Sequence, residues 1–469
     1  MQPEAASAAP RWPLVDRTGW CLALVFALYG YQGLVAGFAL TALPNHFASL
    51  GASTGQVGAH IAIVGLPWIL QPLWGPVVDR FGGFRMGRRR FWVVLALAAS
   101  LLALARLLLA GPVTAGGIAA ISAVFLLHSA LAALVDTAID GMIIDHVPTA
   151  RLGRANAVTR AGFVSGIAVG TALFAWLLPA RGLAFASGVL LAVGALVLVL
   201  PLLVREAPGD DWLSLRQREM RTGGDSFAAV MRQLRDILRR RSTLALLAFC
   251  FCVDFAGAVF RVPLAVELIQ RRGWEAEALS SWQAGIALMA GTVGALLVGW
   301  WTDRVGPGRP GPGLAVAVLL ALCALGHAVA GALLALGDPR WAARAGPLAL
   351  GLSGVLPALL FVALAPAVMR ASRGAAAATR FAMFMAALNL GDVAGSAMAG
   401  TVAQWLDLWA TGLLAAAVFC LGAVLATLAP GIREADAAGG GGLGVTETEA
   451  CGEASGEVKP GAPGARRAG

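Results

Sequence analysis

The chain has 469 residues, of which 58% are apolar and only 13% charged, and its mean hydropathy is +0.77. Soluble domains carry about 25% charged residues, and a soluble fold of this length could not hide so much apolar surface. With 5 His and 6 Cys, the composition also excludes a disulfide scaffold, a zinc ribbon and a disordered regulator, which leaves a polytopic membrane protein.

A helix rises about 1.5 Å per residue, so about 20 apolar residues cross a hydrocarbon core of about 30 Å. Twelve stretches meet this requirement. Six lie near 19–41, 57–78, 91–110, 115–145, 156–178 and 183–204, and six near 243–269, 280–301, 314–336, 346–369, 376–400 and 408–430. Barrel strands would be roughly ten residues of alternating pattern, and backbone groups in lipid must be paired, so these runs predict an all-α fold of twelve transmembrane helices. The first span holds Tyr29, Tyr31 and Gln32 and is longer than a signal-peptide core, which predicts an uncleaved helix. Cys250-x-Cys252 has neither redox nor metal spacing.

Charge sets the orientation. With the N-terminus inside, five of the 35 basic residues fall in outer loops (Arg181, Arg271, Arg272, Arg340, Arg344) and two within spans (Arg106, Arg261), which leaves 28 on the inner side. The positive-inside rule therefore predicts a cell (inner) membrane protein with both termini cytoplasmic, and it accounts for the net charge of +9. Nucleic-acid binding would need a basic soluble module with aromatics, and the sequence has no such module.

The longest internal polar segment, 205–242, carries nine Arg. Phe227, Val230, Met231, Leu234 and Ile237 recur in it at helical spacing, a basic amphipathic helix suited to the inner membrane surface. The expected organisation is a cytoplasmic segment 1–18, a six-helix half 19–204, the linker 205–242, a second half 243–430 and a disordered tail 431–469. An internal echo supports the division. Gly75-Pro-Val-Val-Asp79-Arg80-Phe-Gly82 and Gly299-Trp-Trp-Thr-Asp303-Arg304-Val-Gly306 both read G-x-x-x-D-R-x-G after equivalent spans, as in halves related by an axis along the membrane normal.

Twelve helices, a long middle loop and this motif resemble the major facilitator superfamily. The resemblance implies alternating access and a cytoplasmic latch formed by Asp79, Arg80, Arg88, Arg89 and Arg90, with Asp303 and Arg304 as its second copy. Leu73-Trp74-Gly75-Pro76-Val77-Val78-Asp79-Arg80 and Gly87-Arg88-Arg89-Arg90-Phe91-Trp92 further resemble the muropeptide permease (AmpG-type) branch, to which acetyl-CoA and siderophore-uptake permeases are related. So does the fourth span, with Asp136-x-x-x-Asp140 and Asp145. The likeness covers residues 65–170.

Ionised groups at the bilayer centre cost at least about 2.5–3.5 kcal/mol, so each needs a partner, water or a function. Asp136 and Asp140, at i and i+4, share one face of their helix. Two such carboxylates repel and favour sharing a proton, which suits coupling; the competing reading is a structural pairing with Arg160 or an Arg of the second half. Asp145 reads as a helix-end charge. Asp254 and Arg261 lie two turns apart, too far for a direct bridge, so Arg261 either binds an anionic solute or pairs with an acid on another helix. Asn389 and Asp392 share a face; Asn389 either binds solute or joins helices, and Asp392 is a further proton-site candidate. Gln32, His60 and Gln71 are candidates for a polar cavity, although a lone His such as His60 or His128 more often packs. Gly162, Gly166 and Gly170 form a stripe for close helix approach.

The chain contains no phosphate-binding loop, nucleophile elbow or zinc-helix motif. No enzyme activity, cofactor or metal is expected. The expected partners are protons, the bilayer and a small polar solute, with the chain a monomer. Proton-coupled uptake competes with efflux of amphipathic compounds and with a non-transporting assembly role. The missing Gly-Pro pair in span 5 lowers the efflux reading.

Overall fold

The computed structural model describes residues 17–148, 151–217, 238–291, 312–335, 339–371 and 377–428, together with Arg232 and Arg235. In chain order, α1 (Thr18–Gly37) runs through a π turn (Phe38–Ala42) into α2 (Leu43–Ser49). It is followed by α3 (Thr54–Ile69), α4 (Trp74–Arg80), α5 (Arg90–Ala105), α6 (Ile118–His146) and α7 (Leu152–Leu203). Then come α8 (Arg241–Gln270), α9 (Ala276–Met289), α10 (Pro312–Ala335), α11 (Pro339–Ala371), α12 (Ala377–Trp405) and α13 (Leu408–Thr427). An isolated bridge pairs Phe84 with Gln217.

Ten helical stretches among the described residues are long and apolar enough to cross a membrane. One of them, Arg154–Leu203, has 50 residues. At about 1.5 Å per residue this is long enough for two crossings. It turns at Gly182, whose φ of 78° suits a residue without a Cβ. α9 covers the start of the span expected at 280–301, and the rest of that span lies outside the described residues. The architecture is thus consistent with twelve spans. The expected amphipathic helix of the linker, the second motif with Asp303 and Arg304, and the tail from 431 lie outside the described residues. The outer surface carries exposed apolar side chains such as Leu102, Leu109, Leu196, Leu325 and Trp405, a surface suited to lipid.

Helix ends follow local chemistry. Ser53 caps α3 in a reciprocal box, its Oγ accepting from the Gln56 N–H and its own N–H donating to Gln56 Oε1 at 2.9 Å. Asp407 caps α13 through the Ala410 N–H at 2.8 Å. The first crossing extends to Ser49 rather than stopping near residue 41, because the π turn lets the helix continue past Pro44, which lacks an N–H to donate. Two side chains brace that turn. Thr171 Oγ1 donates to the Gly37 carbonyl at 3.4 Å, and His60 Nε2 meets the Ala39 carbonyl at 2.9 Å. The carbonyl requires Nε2 to carry the proton, while Nδ1 lies 2.8 Å from the Ser122 hydroxyl, which itself donates to the Ile118 carbonyl at 2.7 Å. His60 is fully buried, with Phe47 and Phe125 edge-on to its ring.

Divided at the linker, the helices fall in chain order into a first group, α1 to α7, and a second, α8 to α13; α1 lies along α7, and α8 along α12. The glycine stripe of α7 makes the first contact possible: a Cβ at Gly166 would strike the Gly30 carbonyl, and one at Gly170 the Leu34 carbonyl. The groups meet where α3 crosses α12 and α7 meets α9.

This packing can be tested at two points. Gly166→Val should cost about 1–3 kcal/mol or prevent folding, because backbone cannot yield as a side chain can. Gly257→Ala, with open space at its Cβ, should leave the melting temperature in detergent unchanged. His60→Leu should cost about 1–3 kcal/mol by stripping the Ala39 carbonyl of its donor. His60→Gln, which keeps a donor, should lose less in the same thermal-shift assay.

Candidate functional site

The sequence break at Gln71-Pro72 interrupts the second crossing. Pro72 offers no N–H to the Trp68 carbonyl four residues back, and a 3-10 turn (Gln71–Leu73) separates α3 from α4. The interruption serves two contacts. Gln71 is turned toward α6, where its Nε2 donates to Asp136 Oδ2 at 2.5 Å. The Trp68 carbonyl accepts from Asn389 Nδ2 of α12 at 3.4 Å, a link between the two helix groups.

Asp136 and Asp140 share the face predicted for them. Tyr29 of α1 donates its hydroxyl to Asp140 Oδ1 at 2.6 Å and lies beside Asp136 as well. Gln32, one turn further along α1, adjoins the Asp136 carboxylate. The acid pair is therefore held by a phenol and an amide, and Arg160 is engaged elsewhere. Its guanidinium stands 4.6 Å over the Phe361 ring of α11, a cation–π contact between the groups. Asp140 is solvent-accessible while densely surrounded by protein.

In the second group, Arg261 of α8 binds Asp392 of α12, Nη2 to Oδ1 at 2.7 Å. Asp254 lies within electrostatic reach of both. The Arg261 side chain is 51% exposed and that of Asp392 32%, although protein surrounds them. Of the two readings open for Arg261, the structure shows the pairing with an acid on another helix. Asn389, one turn before Asp392, faces the Trp68 carbonyl. His60 braces the π turn and does not join this cluster.

The polar residues near the ends of α4 and α6 and the start of α5 form a second assembly. Asp79 accepts from Arg89 at 2.7 Å and from Arg88 at 3.2 Å, while Arg89 also bridges to Asp145 at 2.9 Å. Asp145, at the end of α6, is a helix-end charge that takes part in an ion cluster. Arg80 lies 6.0 Å over the Phe81 ring. Arg90 is fully buried and donates to the carbonyls of Met86, Pro201, Leu202, Asp211 and Trp212. Glu206 accepts from the backbone N–H groups of Arg89 and Arg90 at 2.8 and 2.9 Å, capping α5, with His146 Nε2 3.3 Å away. These bonds tie the loop before α5 to the start of the linker, and none of the partners named belongs to the second group.

The opposite end is where the groups seal. Asn45 Nδ2 donates to Ser280 Oγ at 2.8 Å and to Gln283 Oε1 at 2.7 Å, and Gln270 Nε2 donates to the carbonyls of Ala48 and Ala52, both at 2.9 Å. Below this seal α3 and α12 come into backbone contact, so that a Cβ at Gly58 would strike the Ser396 carbonyl. Glu267 pairs with Arg271 at 3.1 Å and Arg272 at 3.7 Å, at the end of its own helix.

Sequence reasoning missed Tyr29, Glu206 and the Asn45 seal. A signal existed only for Tyr29: the chain has 2 Tyr, and this one lies one turn from Gln32. The partners of Asn45 are more than 200 residues away, and no local pattern marks them.

A profile of the Major Facilitator Superfamily matches residues 22–342. Solved transporter structures share the fold. The nucleoside transporter NupG aligns with a TM-score of 0.61 at 14% identity, over 88% of this chain and 98% of its own. A POT family transporter in complex with a thioalcohol-conjugated peptide aligns at 0.66 and 14% identity, over 90% and 99%. Another, in complex with 5-aminolevulinic acid, aligns at 0.65 and 13% identity, over 88% and 96%. A match over two-thirds of the sequence, on a bundle of apolar crossings joined at a broken helix, makes this chain a multi-pass membrane transporter of the Major Facilitator Superfamily.

Proposed function

We propose that the protein is a proton-coupled secondary transporter that takes up a polar, anionic organic solute, muropeptide-like or siderophore-like, by alternating access between two six-helix halves. The observation that carries this reading is the pairing of two unlike charged sites. One group holds the carboxylates Asp136 and Asp140 on a phenol and an amide; the other holds Arg261 with Asp392 and Asp254. Both are accessible and yet enclosed by protein, as on the walls of a cleft. Asp136 and Asp140 exchange the proton, with Asp254 beside them in the facing wall.

Arg261 receives the solute anion. Its present partner is a single carboxylate, and a guanidinium offers five donors in a planar fork, so a solute carboxylate can displace Asp392. Asp392, the further proton-site candidate, is then left without its cation, which links solute binding to the acid sites. Asn389 orients the solute once its long bond to the Trp68 carbonyl opens. Gln32 and Gln71 line the acid pair, while His60 supports the wall behind it.

With the N-terminus inside, the Asn45 seal is the outer gate and the conformation faces inward. Asp79, Arg80, Arg88, Arg89 and Arg90 keep the inner loop rigid, with Asp303 and Arg304 as the matching set in the second half. The muropeptide permease likeness of residues 65–170 favours uptake. The structural neighbours carry nucleosides or bind peptide and 5-aminolevulinic acid, which agrees with a small polar cargo. Efflux of amphipathic compounds would favour an apolar wall, whereas the groups gathered here are charged. A non-transporting assembly factor would tolerate loss of the acids.

The test is a solute panel in proteoliposomes loaded with a pH-sensitive dye. Asp140→Asn should abolish solute-driven proton movement while solute binding persists; unchanged flux would remove Asp140 from the mechanism. Arg261→Gln should weaken solute binding by about 1.5–3 kcal/mol, roughly 10- to 150-fold, the worth of a charge-assisted bond. An unaltered affinity would show that the anion binds elsewhere.

A further inference from the structure

Between α1, α5 and α6 lies a void of about 10 Å³ lined by Tyr31, Gln32, Leu97, Ser100, His128 and Val135, among others. That is the space of about one water molecule. Three of its walls end in a buried polar atom that makes no hydrogen bond of normal geometry with protein: Tyr31 Oη, Gln32 Nε2 and His128 Nδ1. Tyr31 is 4% exposed and His128 5%. A single buried polar group without a partner costs about 1–3 kcal/mol, so three around one void call for a shared partner.

The chemistry of the three atoms defines that partner. The Ser100 carbonyl lies within electrostatic reach of the His128 ring. A proton on Nε2 leaves the unpartnered Nδ1 as a bare acceptor. Gln32 Nε2 is a donor only, and the Tyr31 hydroxyl is both donor and acceptor. One acceptor, one donor and one group of either kind match a molecule with two donors and two acceptors.

We infer that this void is a binding site for a single water, which accepts from Gln32, donates to His128 Nδ1 and takes its third bond with Tyr31. His128 precedes Asp136 by two turns of α6, on the side of the Asn45 seal. The water therefore continues the polar chain of Tyr29, Asp140, Asp136 and Gln32 toward the sealed end. Its role, which rests on the coupling proposed above, is to hold the Gln32 amide against Asp136 and to hydrate the acid pair from the side that the gate closes to bulk solvent.

Radiolytic hydroxyl footprinting of the full chain in lipid nanodiscs tests the site without any transport step. Water bound in a core is split in place and labels the side chains beside it. Tyr31 and His128 should be labelled several-fold faster than Phe38 and Phe125, which are fully buried in the same crossings. His128→Leu, which fills the void with apolar atoms, should bring Tyr31 down to the rate of those phenylalanines. Should that variant fail to fold, Gln32→Met must give the same loss. Labelling of Tyr31 no faster than Phe38 in the native chain would show a dry core and overturn the proposal. A chain that moves no proton but labels Tyr31 rapidly would instead overturn the coupling and leave the water site standing.

Discussion

A carboxylate or a freed carbonyl inside hydrocarbon must find a donor within the protein, because the solvent offers none. That requirement orders the site. Asp136 and Asp140 draw Tyr29 and Gln71 from two other elements, so α1, the break after α3 and α6 converge on one point. In the second group Asp392 draws Arg261, and α8 and α12 converge in the same way. The charged centres thus fix which helices meet, and the glycine contacts fix how closely.

Irregular backbone follows the same rule. A π turn and a proline break each disturb the pairing of a helix, and side chains from elsewhere meet carbonyls at both: Ala39 by His60, Gly37 by Thr171, Trp68 by Asn389. The last of these is the informative one. It spans the two groups, is long at 3.4 Å, and lies one helical turn from the Arg261–Asp392 pair. Under the role proposed for Arg261, a solute arriving there would disturb an interface bond as well as an ion pair, which would tie ligand binding to the packing of the two groups.

The sequence is sufficient for features carried by runs and short spacings. Span lengths, the shared face of Asp136 and Asp140, and the glycine stripe of α7 all arise within one helix. The first crossing reads too short, and the π turn that carries it past Pro44 has no marker of its own in the sequence. The identity of partners is not legible. Arg261 pairs with a residue 131 positions away, and nothing local distinguishes an arginine awaiting a solute from one already neutralised. Arg90 is the sharper case. It stands in a basic run that reads as a surface latch, yet it is fully buried among five backbone carbonyls, because the chain returns beside it more than 100 residues later.

The two ends of the bundle are built from different bonds, and the difference bears on motion. Around Asp79, Arg89 and Asp145 the ionic contacts stay within the first group, and Arg90 and Glu206 rivet that group's loops together. At the other end the groups are joined by neutral amide and hydroxyl bonds from Asn45 and Gln270. Each such bond is worth about 0.5–1.5 kcal/mol net. Parting the groups there breaks four of them, a few kcal/mol in all, and breaks none of the ion pairs. The packing of α3 on α12 and of α7 on α9 adds to that cost. The alternation of access proposed above rests on this contrast between the two ends, since a ligand shifts such an equilibrium only by its differential affinity for the two states.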